Sequence, residues 1–209
     1  MITHLPVVYP VVEVERDGRD EHPMRRVTRE VAFDEGWGAD RRDKVAALFD
    51  SMAATWHTDH DHPGRYLPLV DALERGSVES GHAVELGAGT GLGSRHLVGR
   101  FSSLVLADLS GAMLAELDPN LGPRVQLDAA HLPFSDGAVD VHVLNNMLLF
   151  PDEISRTLRT GGCVVWINTV GEQTPIHLSV EEVVAALPGQ WTGVASRADR
   201  GLWGVLRRE

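Results

Sequence analysis

VELGAGTGLG, Val84 to Gly93, sets four glycines at alternate positions, the first of them two residues after the acidic Glu85. Such a turn lets the backbone reach unusual φ values and approach a ligand closely. The residues before it, HAVEL, read as a strand, and those after it, to about Gly99, read as a helix. A strand entering a glycine turn at a helix start presents free N–H groups, so the turn is a cradle for a nucleotide or a carboxylate. The dinucleotide fingerprint needs G-x-G-x-x-G. Leu92 or Ser94 stands where its third glycine belongs, so an NAD-dependent oxidoreductase fits imperfectly.

Downstream, strand-like and helix-like pieces alternate, the pattern of an α/β sheet with helices on both faces. SLVLADLS, RVQLDAA, VDVHVLNN and GCVVWINT read as strands; GAMLAEL, PDEISRTLRT and SVEEVVAAL read as helices. HLPFSDGAVD is too rich in turn residues for a full helix. The last two strands, WTGVASRA and GLWGVLRR, lie close enough for a hairpin, which makes the final strand antiparallel on an otherwise parallel sheet. Upstream, Val45, Leu48, Phe49, Met52, Ala53 and Trp56 follow helical spacing and predict a helix ending near Trp56. Leu69, Val70 and Leu73 predict another. In the first segment, VVEVERDGR alternates toward Asp17-Gly18, a good turn pair, and MRRVTREVAF could return as the second strand of a β-hairpin.

The motif Glu85-x-Gly87-x-Gly89-x-Gly91 resembles the first motif of the class I S-adenosylmethionine-dependent methyltransferases, small-molecule type, methyltransferase domain 11/25-like. The resemblance runs in order from about Trp37 to Arg208. It implies a doubly wound, Rossmann-like, seven-stranded, mostly parallel sheet with an antiparallel last strand and helices on both faces. The expected organisation is an N-terminal appendage over 1–39 with the β-hairpin, a helical cap over 40–80, and the cofactor-binding core over 81–209.

The resemblance also implies site residues. Glu85, Gly87, Ala88 and Gly89 form the cofactor turn. Asp108 matches the acid that accepts from both ribose hydroxyls, with Leu109 and Met113 bordering adenine. Asp128 and Ala129, in DAAHLPF, match the pair whose carboxylate meets the adenine amino group and whose N–H meets a ring nitrogen. Asn145, with Asn146 beside it, ends the fourth strand near the methionine part. LRTGGCVVWIN resembles the stretch entering strand five, with Thr160 in place of proline. Phe49 and Trp56, in LFDSMAATWH, match a segment whose aromatic residue closes over the cofactor. Trp56 replaces the usual tyrosine, keeping the ring and moving the polar handle. Each residue alone also fits a plain structural role; their joint order carries the reading.

The implied reaction is methyl transfer from S-adenosyl-L-methionine to a small-molecule O-, N- or C-nucleophile, leaving S-adenosyl-L-homocysteine. Proximity and orientation are its main catalytic effect. WHTDHDHP lies where the cap should meet the pocket, and His57 is the candidate general base. That run lacks the spacing of recognised zinc sites, so no metal is expected. His131 and His142 read as structural, and Cys163, within an apolar run, reads as an inert buried thiol. Alternatives are a protein that binds the cofactor without catalysis and, less favoured, an aminopropyl transferase or an NAD-dependent oxidoreductase.

The formal charge of −11 disfavours nucleic acid as a partner. No apolar run approaches a membrane span, and the start lacks the pattern of a signal segment, so a cytoplasmic protein with no membrane partner is expected. The loops after strands four and five are short, which leaves the N-terminal hairpin, or the second subunit of a homodimer, to finish enclosing the acceptor.

Overall fold

The computed structural model describes residues 1–13, 22–34 and 36–209. The chain forms β1 (Ile2–His4), α1 (Pro23–Phe33), α2 (Ala39–Met52), α3 (Trp56–His60), α4 (Leu67–Arg75), β2 (His82–Leu86), β3 (Ser103–Asp108), α5 (Gly111–Glu116), β4 (Arg124–Gln126), β5 (Val139–Asn145), α6 (Pro151–Thr157), β6 (Leu158–Asn168), α7 (Val180–Ala186), β7 (Trp191–Ala198) and β8 (Gly201–Arg208). One sheet contains all eight strands in the order β1-β7-β8-β6-β5-β2-β3-β4. Among the described residues β8 alone runs antiparallel to its neighbours, β6 and β7.

The central strands are near-continuous apolar runs because both their faces are covered. On one face Val84, Leu86, Leu144, Val164 and Trp166 pack with Met24 and Val31 of α1, Ile154 of α6 and Val183 of α7. On the other, Ala83, Val141, Val143, Val165 and Trp203 pack with Leu69, Ala72 and Leu73 of α4. β2 is flanked by β3 on one side and β5 on the other. The strand order therefore reverses at β2, and a crevice opens beyond its carboxyl end, where open α/β sheets bind ligands.

His142, inside β5, is fully buried with Nε2 2.9 Å from Thr157 Oγ1, and burial alone pushes its pKa down to about 3. It is a neutral packing residue. Burial likewise pushes the Cys163 thiol up to about 11, leaving it an unreactive part of the core.

Four expectations need correction. Among the described residues the sheet has eight strands, because Ile2–His4 adds parallel to β7 at the edge. MRRVTREVAF is helical, so it supplies no hairpin strand: Met24, Thr28, Val31 and Ala32 form its buried stripe, Pro23 stands in its first turn, and the His22 ring accepts from the Met24 N–H. The expected turn at Asp17-Gly18 lies outside the described residues. After the glycine turn only a short 3₁₀ turn forms, Ser94–His96, because positive φ at Gly91 and Gly99 bounds the segment at both ends. The cap helix does not stop at Trp56; it tightens over Ala53–Thr55 and continues as α3 to His60.

Candidate active site

A cavity of about 570 Å³ opens over the carboxyl ends of β2, β3 and β5, roofed by α2 and α3. All the positions expected to meet the cofactor line it: Phe49 and Trp56 from the cap, Glu85, Gly87, Ala88 and Gly89 from the turn, Asp108, Leu109 and Met113, then Asp128, Ala129 and Asn145.

The turn is held to the next strand by its backbone. The Gly87 and Ala88 N–H groups both donate to the Ala107 carbonyl, at 2.8 and 3.0 Å. Gly87 takes φ +76°, and a Cβ there would come within 2.7 Å of Met147 Sδ, so only glycine fits. Gly89 N–H donates to Asp108 Oδ2 at 2.7 Å, and Ser110 N–H donates to Oδ1 at 2.8 Å. Each oxygen keeps a lone pair for a further donor. Burial raises the Asp108 pKa, and the backbone N–H bonds oppose it. Glu85, at the end of β2, is 1% exposed and accepts from Ser94 Oγ. Burial, with the nearby Asp108 charge, pushes it up to about 7 against the Ser94 bond.

At the far wall the Trp37 indole donates to both oxygens of Asp128 at 3.1 Å, and Ala130 N–H donates to Oδ1 at 2.9 Å. Trp37 also meets Phe150 edge-on, with centroids 5.1 Å apart. Over the turn, a Cβ on Gly93 would meet Asn145 Nδ2, Glu85 Oε1 and Tyr66 Cε1 at 2.8, 3.2 and 3.6 Å, so these three side chains converge there. Two buried polar atoms in the cavity's wall residues lack partners: Arg65 Nε, a donor, and Asn145 Oδ1, an acceptor. One donor and one acceptor of the cavity wall are thereby left open to a ligand.

The histidines divide differently from expectation. His57 is exposed and is not among the cavity walls, whereas His60 and His62 are. α3 carries its chain past Trp56, which turns His57 outward and brings His60 beneath the Trp56 ring, stacked at 3.8 Å and 18°. His131 is exposed and outside the cavity. Among the described residues no group of three His, Cys, Asp or Glu side chains is placed to hold a metal, and no helix is long and apolar enough to cross a membrane. Sequence reasoning missed His22, Met24, Trp37, Arg65, Tyr66 and Phe150, all of which line the cavity. Trp37 and Tyr66 flank helix starts, and no local motif announces them.

A glycine turn thus lies at the switch point of this sheet, with an acid closing the following strand and a second acid past β4. Residues 84–165 match the family described as methyltransferase domain. The chain is 32% identical over 125 residues to a demethylmenaquinone methyltransferase of Mycolicibacterium gilvum (strain PYR-GCK), a match covering 56% of this chain and 55% of that protein. The chain thus spans about half the length of the curated relatives it matches. Its fold is similar to a methyltransferase from Thermotoga maritima described as a possible histamine N-methyltransferase, with TM-score 0.59, 15% identity, and 78% and 99% of the two chains covered. It is also similar to geranyl diphosphate C-methyltransferase from Streptomyces coelicolor A3(2), solved with S-adenosyl-L-homocysteine, with TM-score 0.51, 18% identity, and 62% and 65% covered.

Proposed function

We propose that the protein transfers the methyl group of S-adenosyl-L-methionine to a small-molecule acceptor. The observation that carries this is the polar layout of the cavity. Acceptor carboxylates stand at Asp108 and Asp128, and the unmet donor of Arg65 and unmet acceptor of Asn145 accompany them. An adenosyl group linked to an amino acid has that same sequence of needs. Asp108 would receive the ribose hydroxyls, and Asp128 with the Ala129 N–H the adenine edge, between Leu109 and Met113. The turn from Gly87 to Gly89 would lie under the ribose, with Glu85 anchoring it through Ser94. Arg65 would hold the carboxylate and Asn145 Oδ1 the ammonium.

The bound cofactor supplies an electrophilic methyl on sulfonium, so this chain's task is to orient the acceptor and exclude water. Phe49 and Trp56, in edge contact at 5.9 Å, form the roof. Met24, Trp37, Phe150 and Ile176 make an apolar wall suited to a small organic acceptor. Met24 and its neighbour His22 bring the start of α1 into the enclosure, the part that the sequence left to a hairpin or a second subunit.

Asp108→Ala tests the assignment. It should cost about 1–3 kcal/mol of S-adenosyl-L-homocysteine binding, read by calorimetry, with the fold retained. Unchanged affinity would remove Asp108 from the site.

A further inference from the structure

Two imidazoles in the cavity wall are fixed in opposite tautomers. His60 Nδ1 lies 3.1 Å from the Trp56 carbonyl oxygen. A carbonyl only accepts, so neutral His60 carries its proton on Nδ1 and leaves Nε2 as a bare lone pair. His22 is the reverse: its Nδ1 accepts from the Met24 N–H at 3.2 Å, so neutral His22 keeps its proton on Nε2 and is a donor. The His60 ring is held in plane by its stack on Trp56.

The acids of the same cavity are engaged. Asp108 accepts from Gly89 and Ser110, Asp128 from Trp37 and Ala130, Glu85 from Ser94, and Asp59 from Thr55 Oγ1 at 2.8 Å. His62 is exposed, whereas His60 is half-buried. Burial first, then the Arg65 guanidinium, with a smaller push from His62, hold the His60 pKa below its usual value; the Trp56 carbonyl and Asp59 oppose them. At neutral pH His60 is therefore an unprotonated, oriented base.

We infer that the acceptor reacts through an aromatic or enolic hydroxyl and that His60 Nε2 takes its proton, an inference that rests on the methyltransferase reading above. An oxygen lone pair of the acceptor forms the bond to the methyl carbon, the carbon–sulfur bond breaks with its pair going to sulfur, and the O–H proton passes to His60. The imidazolium then returns the proton to water after product release. A phenol or enol suits a base of lowered basicity, because its hydroxyl is already acidic and becomes more so as the C–O bond forms. The His22 Nε2–H offers a donor to a second oxygen of such an acceptor, and the Trp37 and Phe150 rings fit its apolar body.

The test begins with calorimetric binding of S-adenosyl-L-homocysteine to the full chain. The chain is then incubated with S-adenosyl-L-methionine and separate probe phenols, β-dicarbonyl enols, primary amines and thiols, and products are read by mass spectrometry. Gain of one methyl on oxygen of a phenol or enol is expected. Two variants follow: His60→Asn, which keeps a donor to the Trp56 carbonyl, and His60→Phe, which keeps the stack. Both should lower kcat about 10²–10⁴-fold, leave S-adenosyl-L-homocysteine affinity unchanged, and lose the acid limb of the kcat–pH profile. Methyl found on nitrogen, sulfur or carbon, no probe methylated by a chain that binds S-adenosyl-L-homocysteine, or wild-type turnover in both variants would overturn the inference. If the wild-type chain does not bind S-adenosyl-L-homocysteine, the methyltransferase reading itself falls, and this inference with it.

Discussion

The Trp37 indole N–H sits 3.1 Å from each carboxylate oxygen of Asp128, tying the residue ahead of the cap helix to the loop after β4. A charge-assisted bond of this kind contributes about 1.5–3 kcal/mol, less where water can replace it. Trp37→Phe keeps the edge contact with Phe150 and removes only the donor. It should lower unfolding free energy by about 1–2 kcal/mol in a urea titration, and weaken S-adenosyl-L-homocysteine binding because the wall moves. Unchanged stability and binding together would show that the cap is held elsewhere.

Gly89 and Gly99 form a matched pair. Both have positive φ, +56° and +77°, and a Cβ on either meets nothing within 4 Å. Alanine at each site should cost a similar ~1 kcal/mol of stability. Only Gly89 lines the cavity. Gly89→Ala is therefore expected to weaken S-adenosyl-L-homocysteine binding at least tenfold, and Gly99→Ala to leave it alone; equal effects on binding would sink the cradle assignment.

Glu85 gives a pH signature. Its unfolded pKa is 4.5 and its folded value about 7, so between these values the native chain holds a proton that the unfolded chain has released. Stability from this group therefore falls as pH rises from 4.5 to about 7 and is flat above it. His142 acts oppositely, raising stability between about pH 3 and 6.5, but it is present in both proteins when Glu85→Gln is compared with wild type. The wild type should lose stability relative to the Gln variant across pH 4.5 to 7. A pH-independent difference would mean that Glu85 is ionised with its usual pKa.

Away from the cavity, Asp71 is fully buried and accepts from Trp203 Nε1 at 2.7 Å and from Arg75 at 2.5 and 2.6 Å, locking α4 onto β8. Asp71→Ala strands both donors and should destabilise the protein by about 3 kcal/mol, whereas Trp203→Phe, which removes the indole donor to Asp71, should cost about 1–2 kcal/mol. Thermal unfolding ranks the two; a larger loss for Trp203→Phe would place the burden on packing.

The sheet was legible because its signals are local. VDVHVLN, short, rich in β-branched valine and preceded by the turn residues SDGA, reads as a buried strand, and the turn after β2 marks the switch point. α1 was misread because Val27 and Val31 share a face in a strand and in a helix alike; only the partners they pack against decide. β1 is three residues long and is a strand only through its pairing with β7. The site residues named by resemblance all line the cavity: Glu85, Asp108 and Asn145 because the sheet sets their place at strand ends, Phe49 and Trp56 because the cap helices lie over those ends. His60 displaced His57 because one more helical turn changes which imidazole faces inward, and Trp37, Arg65 and Tyr66 enter through tertiary contact alone.

The most direct test of the central claim is calorimetric titration of the purified chain with S-adenosyl-L-methionine, S-adenosyl-L-homocysteine and NAD in parallel. Saturable binding of both adenosyl ligands with no heat from NAD is the result predicted. Binding of NAD alone, or of none of the three, would contradict it.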